Sequence, residues 1–335
     1  MQNEITQSTQ LLDKRGNLAT AGYATHMNFV YNKKDVKRQN RLKEWDFYQI
    51  HFDDRYVLQL TFGHVSYAMQ IAVTLLDLQT GDKRTSGKMT LASQEVKDNM
   101  PTNPEVEHTL KYYSDDMHVL FDVTDKYRRL AFTQTDALGV KAEVNLFLTN
   151  VSKTKEKMVI ATPFFKKGQF YLNSKENCFV VNGHCRIDDM CYRINNGFGL
   201  LDWGRGVWPY HHSWIWGNGG TLVNGKHFGF NIGWGFGNTE QATENMFFYN
   251  NKAYKLGTVT ETKVGDNYRY QDDAGRFVFD VEFVHDHFTK TKLLWVNNQC
   301  HQLYGKWSGY VILDDGTKLD VPPFIAFCEH ADNNW

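Results

Sequence analysis

The feature that most constrains this chain is a repeated pairing: short runs of alternating apolar residues, separated by two- or three-residue turn signals. Val140, Ala142, Val144, Leu146 and Leu148 alternate with mostly polar neighbours, and Phe277, Phe279, Val281 and Phe283 do the same around Val278, Asp280 and Glu282. A period of two is that of a strand with one wet face. Thr80-Gly81-Asp82, Asn224-Gly225, Asn250-Asn251 and Asp315-Gly316 punctuate such runs. Asn-Gly and Asp-Gly are strong hairpin signals, because both central residues of a type I′ turn need positive φ. Asn224-Gly225 is therefore predicted to join Gly219–Val223 to Lys226–Trp234, and Asp315-Gly316 to join Tyr310–Leu313 to Thr317–Val321. Helical periodicity is confined to Ser93–Met100, which Pro101 ends. No βαβ alternation occurs, so a doubly wound sheet is disfavoured. Many short, evenly spaced strands point to antiparallel barrels or sandwiches.

At 335 residues the chain exceeds the size of one ordinary core, so two domains are expected. Asn195-Asn196-Gly197 breaks the pattern and sets the expected division: residues 11–194 and 195–335, both all-β. The aromatic share of 15% suits pleated surfaces and also supplies rings that can line a cavity.

A net charge of −1 with interspersed signs carries no phosphate-binding footprint, so no nucleic-acid partner is expected. The basic run Lys33–Lys43 is short, contains Asp35 and reads as a solvated loop. Met1–Asn17 lacks the apolar segment of a signal peptide, and no run is long enough for a membrane span. Five scattered cysteines, an odd number, suit reduced thiols and a cytoplasmic location. No cysteine pair has zinc-knuckle spacing, and His285 and His287, which share a strand face, have no evident third ligand. Gly233-x-Gly235-x-Gly237 has the wrong spacing for a dinucleotide loop. Neither a metal nor a cofactor is expected, and the oligomeric state is left open.

Chemistry concentrates in residues 197–237. Trp203, Trp208, Trp214, Trp216 and Trp234 are five of the nine tryptophans. Trp214 and Trp216 are two apart and would face one side of a strand. Asp202 and Arg205 lie among them, followed by Tyr210, His211 and His212. Indole faces hold apolar chains, stack on sugars or stabilise a passing cation. A carboxyl among such rings is partly desolvated, which would raise the pKa of Asp202 and suit it to general-acid work. The structural alternative is an Asp202–Arg205 ion pair fixing a glycine-rich turn. His211 or Tyr210 would hold a water or carry a proton near Asp202. Asn218, Glu244 and Trp307 are further candidates for the cavity wall, and Glu329 for a second carboxylate.

Three passages carry a resemblance: Lys43-Glu-Trp-Asp-Phe-Tyr48, Tyr171-Leu-Asn-Ser-Lys-Glu-Asn177 and Leu201-Asp-Trp-Gly-Arg-Gly-Val-Trp-Pro-Tyr210, extending into Gly229–Gly237 and Thr243-Glu-Asn245. Together they resemble a bacterial family catalogued as a domain of unknown function. That family is distantly similar to the hydroxyneurosporene synthase group (the carotenoid hydratases) and to lipocalin-like proteins. The resemblance implies two lipocalin-like β-barrel domains packed together, with a ligand cavity near their junction. It also implies Asp202 as the acid of a Trp-x-Asp type motif, although here Leu201 precedes the aspartate and Trp203-Gly204-Arg205 follow it.

Three functions fit these residues. One is a hydratase or isomerase, of the lyase class, acting by acid catalysis on a small apolar or unsaturated molecule. Another is a non-catalytic carrier or sensor of a lipid-like ligand. The third is a carbohydrate-active protein, which needs Asp202 and Glu244 or Glu329 to face one cleft.

Overall fold

A computed structural model describes residues 2–293 and 296–334. It holds two strongly curled antiparallel sheets, each a half-barrel. In the first, the long strand Met190–Val207 is central. The meander Lys43–Phe52, Tyr56–Val65, Ala68–Asp77 and Lys83–Leu91 extends from one side of it. Phe170–Ile187, Gly139–Thr149, Arg128–Asp136, Met117–Val123 and His108–Ser114 follow on the other. In the second sheet His211–Val223 is flanked by Lys226–Trp234, Met246–Tyr249 and Lys252–Lys255 on one side. Lys318–Asn334, Val296–Ile312, Phe277–Leu293, Asn267–Asp272 and Val259–Val264 lie on the other. The all-β architecture expected from the alternation is thus present, in the lipocalin-like form that the resemblance implies. The chain passes from the first sheet to the second between Val207 and His211, so residues 195–207 complete the first half-barrel.

The turns follow the dihedral logic of their residues. Asn224 and Gly225 both have positive φ, 51° and 71°, and Val223 pairs with Lys226 across them. Asn250 and Asn251 do the same between Tyr249 and Lys252. Gly316, at φ 84°, closes the hairpin whose first pair is Ile312 with Lys318. The short helix is Gln94–Asn99; the Ser93 hydroxyl accepts the Val96 N–H at 3.2 Å, and Pro101 follows its cap. Among the described residues no helix is long and apolar enough to cross a membrane.

Each half-barrel encloses its own core. The first contains Tyr48, Phe62, Phe121, Phe132, Phe170 and Trp203. The second contains Phe228, Phe230, Phe277, Phe279, Trp307 and Phe324. A third cluster joins them at the seam, where Val57, Leu76, Leu78 and Leu200 of the first sheet meet Trp216, Tyr304, Ile325 and Phe327 of the second. The central strands are therefore apolar on both faces. Along Met190–Val207, Leu201, Trp203 and Val207 point into the half-barrel while Phe198 and Leu200 point to the seam.

Candidate functional site

The same alternation sets out a cavity of about 280 Å³ at one end of the seam. Asp202 reaches it from the seam face of Met190–Val207. Tyr171 and Lys175 reach it from Phe170–Ile187, and Trp45 and Phe47 from Lys43–Phe52. Across the seam stand Trp214 and Trp216 of His211–Val223, Gln302 of Val296–Ile312 and Glu329 of Lys318–Asn334. Trp208, Phe236 and Glu244 come from the connections between strands.

The walls are rings set edge to face or stacked. Trp45 lies 5.4 Å from Trp208 and 6.0 Å from Tyr171 between centroids, and Phe236 lies 4.7 Å from Tyr171 and 5.5 Å from Trp214. Two glycines make this packing possible. A Cβ on Gly204 would stand 2.2 Å from the Trp45 ring, and one on Gly233 would stand 2.4 Å from the Glu244 carboxyl. Glycine supplies such close approach at the cost of backbone entropy.

One ammonium and three carboxyls converge within these walls. Lys175 Nζ lies 3.4 Å from Asp202 Oδ1, 3.9 Å from Glu244 Oε2 and 3.6 Å from the centroid of the Trp216 ring. Asn173 donates to Asp202 Oδ1 at 2.6 Å. Asn231 donates to Glu244 Oε2 at 3.1 Å and accepts the Trp216 indole N–H at 2.7 Å. Glu329 accepts the Trp214 N–H on Oε1 at 2.6 Å and the Gln302 amide on Oε2 at 2.9 Å. Burial pushes the pKa of both Glu244 and Glu329 up, and the Asp202 charge adds to the push; Lys175 and the hydrogen bonds oppose it. The dominant effect is desolvation, so these two carboxyls are biased toward the protonated form and the donor role that goes with it.

The residues expected here divide into several groups. Asp202, Trp208, Trp214, Trp216 and Glu244 line the cavity, joined by Glu329. Asn218 is buried behind it, donating to Asn231 at 3.2 Å and accepting from Asn177 at 2.7 Å. Trp203 and Arg205 face the first core: the guanidinium lies 4.0 Å above the Trp203 ring, donates to Asp46 at 2.8 Å and lies 3.4 Å from Glu44. The glycines around Arg205 lie in a strand rather than a turn, and strand alternation separates Arg205 from Asp202. Trp307 belongs to the second core, stacked on Tyr270 at 4.5 Å. Trp234 lines a surface groove beyond Trp214. Tyr210 and His211 stand where the chain turns outward after Pro209; both are exposed, neither lines the cavity, and His211 lies 3.4 Å from Asp332. His285 packs beside Gly81, while His287 is buried against Gln302.

Sequence reasoning passed over Lys175, Tyr171, Trp45, Gln302 and Phe236 as site residues. The signal for two of them was present in Tyr171-Leu-Asn-Ser-Lys-Glu-Asn177, where an aromatic, an amide and an ammonium recur every second residue.

The fold has counterparts among solved structures. An AttH-like protein from Nitrosomonas europaea aligns with a TM-score of 0.52 and 12% identity, over 87% of this chain and 92% of its own. Kievitone hydratase from Nectria haematococca aligns with a TM-score of 0.50 and 8% identity, over 98% of both chains. At these identities the likeness is one of fold. No curated protein sequence matches the chain. The model of the domain of unknown function DUF2804 matches residues 2–335. The chain therefore belongs to the DUF2804 family, on a scaffold that it shares with the AttH-like protein and kievitone hydratase.

Proposed function

We propose that the chain binds a small, largely apolar, unsaturated molecule in the seam cavity and catalyses its hydration or isomerisation by acid. The observation that carries this reading is the combination of two carboxyls with raised pKa and a wall of electron-rich rings around one cavity. Protonating an alkene needs a strong enough acid held protonated in a dry site, and the carbocation that forms needs nearby negative charge or π faces. Glu244 or Glu329 donates its proton to one alkene carbon. The faces of Trp214, Trp216 and Tyr171 and the Asp202 carboxylate stabilise the cation. In hydration, a water then adds to the other carbon and releases a proton to a carboxylate. In isomerisation, a neighbouring carbon loses the proton instead. The acid role foreseen for Asp202 passes to Glu244 and Glu329, and Asp202 becomes their charged partner. That a hydratase shares the scaffold makes the chemistry compatible with this fold, although fold alone does not assign it.

A second reading is favoured by one observation: Asp202, Glu244 and Glu329 all face the cavity, as a carbohydrate-active site requires.

The test titrates the protein with isoprenoids, phenolic alkenes, fatty acids and oligosaccharides, following tryptophan fluorescence. Any ligand that quenches saturably is then assayed by mass spectrometry for gain of one water or for a change in chromatographic mobility. Turnover in the wild type that is lost in Glu244→Gln or Glu329→Gln, with binding retained, supports the acid role. Binding with the ligand returned unchanged by all variants makes the chain a carrier. Quenching by sugars alone transfers the assignment to the carbohydrate reading.

A further inference from the structure

A second convergence of chemistry lies inside the other half-barrel, away from the seam. Cys328 and His330 alternate on Lys318–Asn334 and so share a face, the one turned into the second sheet's core. Glu261 sits on the edge strand Val259–Val264. Three strands separate those two in the sheet, yet the curl brings them together: His330 Nε2 lies 2.9 Å from Glu261 Oε2, and Cys328 Sγ lies 4.0 Å from the same oxygen. The three donor atoms fall within 4.8 Å of one another. The Tyr270 hydroxyl donates to Glu261 Oε2 at 2.7 Å, the kind of outer contact that orients a ligating carboxylate.

We propose that Cys328, His330 and Glu261 form a divalent transition-metal site of the zinc class. A thiol, an imidazole and a carboxylate are a donor set that zinc takes readily and that magnesium or calcium does not. Tetrahedral bonds of about 2.0–2.3 Å put ligand atoms roughly 3.3–3.6 Å apart. The spacings here run from 2.9 Å to no more than 4.8 Å, so the farthest pair closes by at most about 1.5 Å to reach that geometry. Three protein ligands leave one position for water on the side of His330, whose side chain is partly exposed whereas Cys328 is buried. Binding forms the sulfur–metal bond and releases the thiol proton to solvent. Zinc-knuckle spacing describes local cysteine pairs only. Here the third ligand comes from a strand more than sixty residues away, which no local pattern reveals.

The test is a titration of the metal-free full-length chain with Co²⁺, read by absorption, and with Zn²⁺, read by calorimetry and thermal melting. The expected result is one ion per chain, a thiolate-to-cobalt charge-transfer band, proton release on binding and a rise in Tm with Zn²⁺. Cys328→Ser removes the band, and His330→Gln weakens binding by about tenfold or more. The second change is at a partly exposed position and keeps the test valid if the first disturbs the core. No stoichiometric binding by the wild type, or binding that survives unchanged in His330→Gln, overturns the proposal.

Discussion

The indole N–H of Trp214 donates to Glu329 Oε1 at 2.6 Å, so one of the rings that walls the cavity also conditions one of its acids. This bond favours the charged carboxylate and partly offsets the burial that raises its pKa. Trp214→Phe keeps most of the wall and removes the donor. The Glu329 pKa is expected to rise further, measured by NMR titration of the labelled side chain. If turnover is found, its alkaline limb should move upward with it.

Glu244 and Glu329 also link stability to pH. Their folded pKa values lie above the unfolded ones, so their contribution is fully present below about pH 4.5 and is lost as pH rises through the folded values. Glu329→Gln cannot ionise and should escape that loss. In urea melts its stability relative to the wild type is expected to improve as pH rises from about 4.5 through the folded pKa and then to level off. A constant difference across the range would show that Glu329 does not titrate within the fold.

His51 behaves in the opposite sense. Burial lowers its pKa from 6.5 to about 4, and its Nε2 lies 2.7 Å from the Gln49 amide nitrogen. A depressed histidine contributes stability above pH 6.5 that is lost as pH falls through about 4. The loss amounts to roughly 3 kcal/mol for such a shift. His51→Gln should flatten this part of the stability profile, visible as a smaller fall in the urea midpoint between neutral and acidic pH.

Arg205 and Asp202 are three residues apart but should fail differently. Arg205 is fully buried and pairs with Asp46 and Glu44. Arg205→Ala removes the guanidinium that pairs with Asp46 in the first core, while Glu44 keeps Lys33 and His64, and is expected to cost about 3–5 kcal/mol of stability. Asp202→Asn keeps the shape and the contact with Asn173, so its melting temperature should stay within a few degrees of wild type while any turnover falls. Equal destabilisation by both changes would mean that the seam supports the fold as strongly as the core does.

The hairpins and the pairing of Trp214 with Trp216 were legible because turn dihedrals and the strand period are local properties. Asp202 was legible as a carboxyl among tryptophans. The sorting of its neighbours was not, because reading Gly204-Arg205-Gly206 as a turn hid the alternation that sends Trp203 and Arg205 to the opposite face. Lys175 and Trp45 reach Asp202 only through pairing between Met190–Val207 and its two neighbours, with partners roughly 30 to 160 residues distant in sequence. Glu329 crosses from the other sheet. No window on the sequence contains these contacts.

Because the two half-barrels each fill their own interior, the seam cavity is walled by the backs of finished structures. Most of its lining takes no part in closing either core. Side chains such as Thr61 or Gln70 can therefore be exchanged to admit a differently shaped guest while both sheets stay folded. In a lipocalin that keeps its guest inside the barrel, the same exchange alters the interior of the fold itself. Here, recognition and architecture can change on separate schedules.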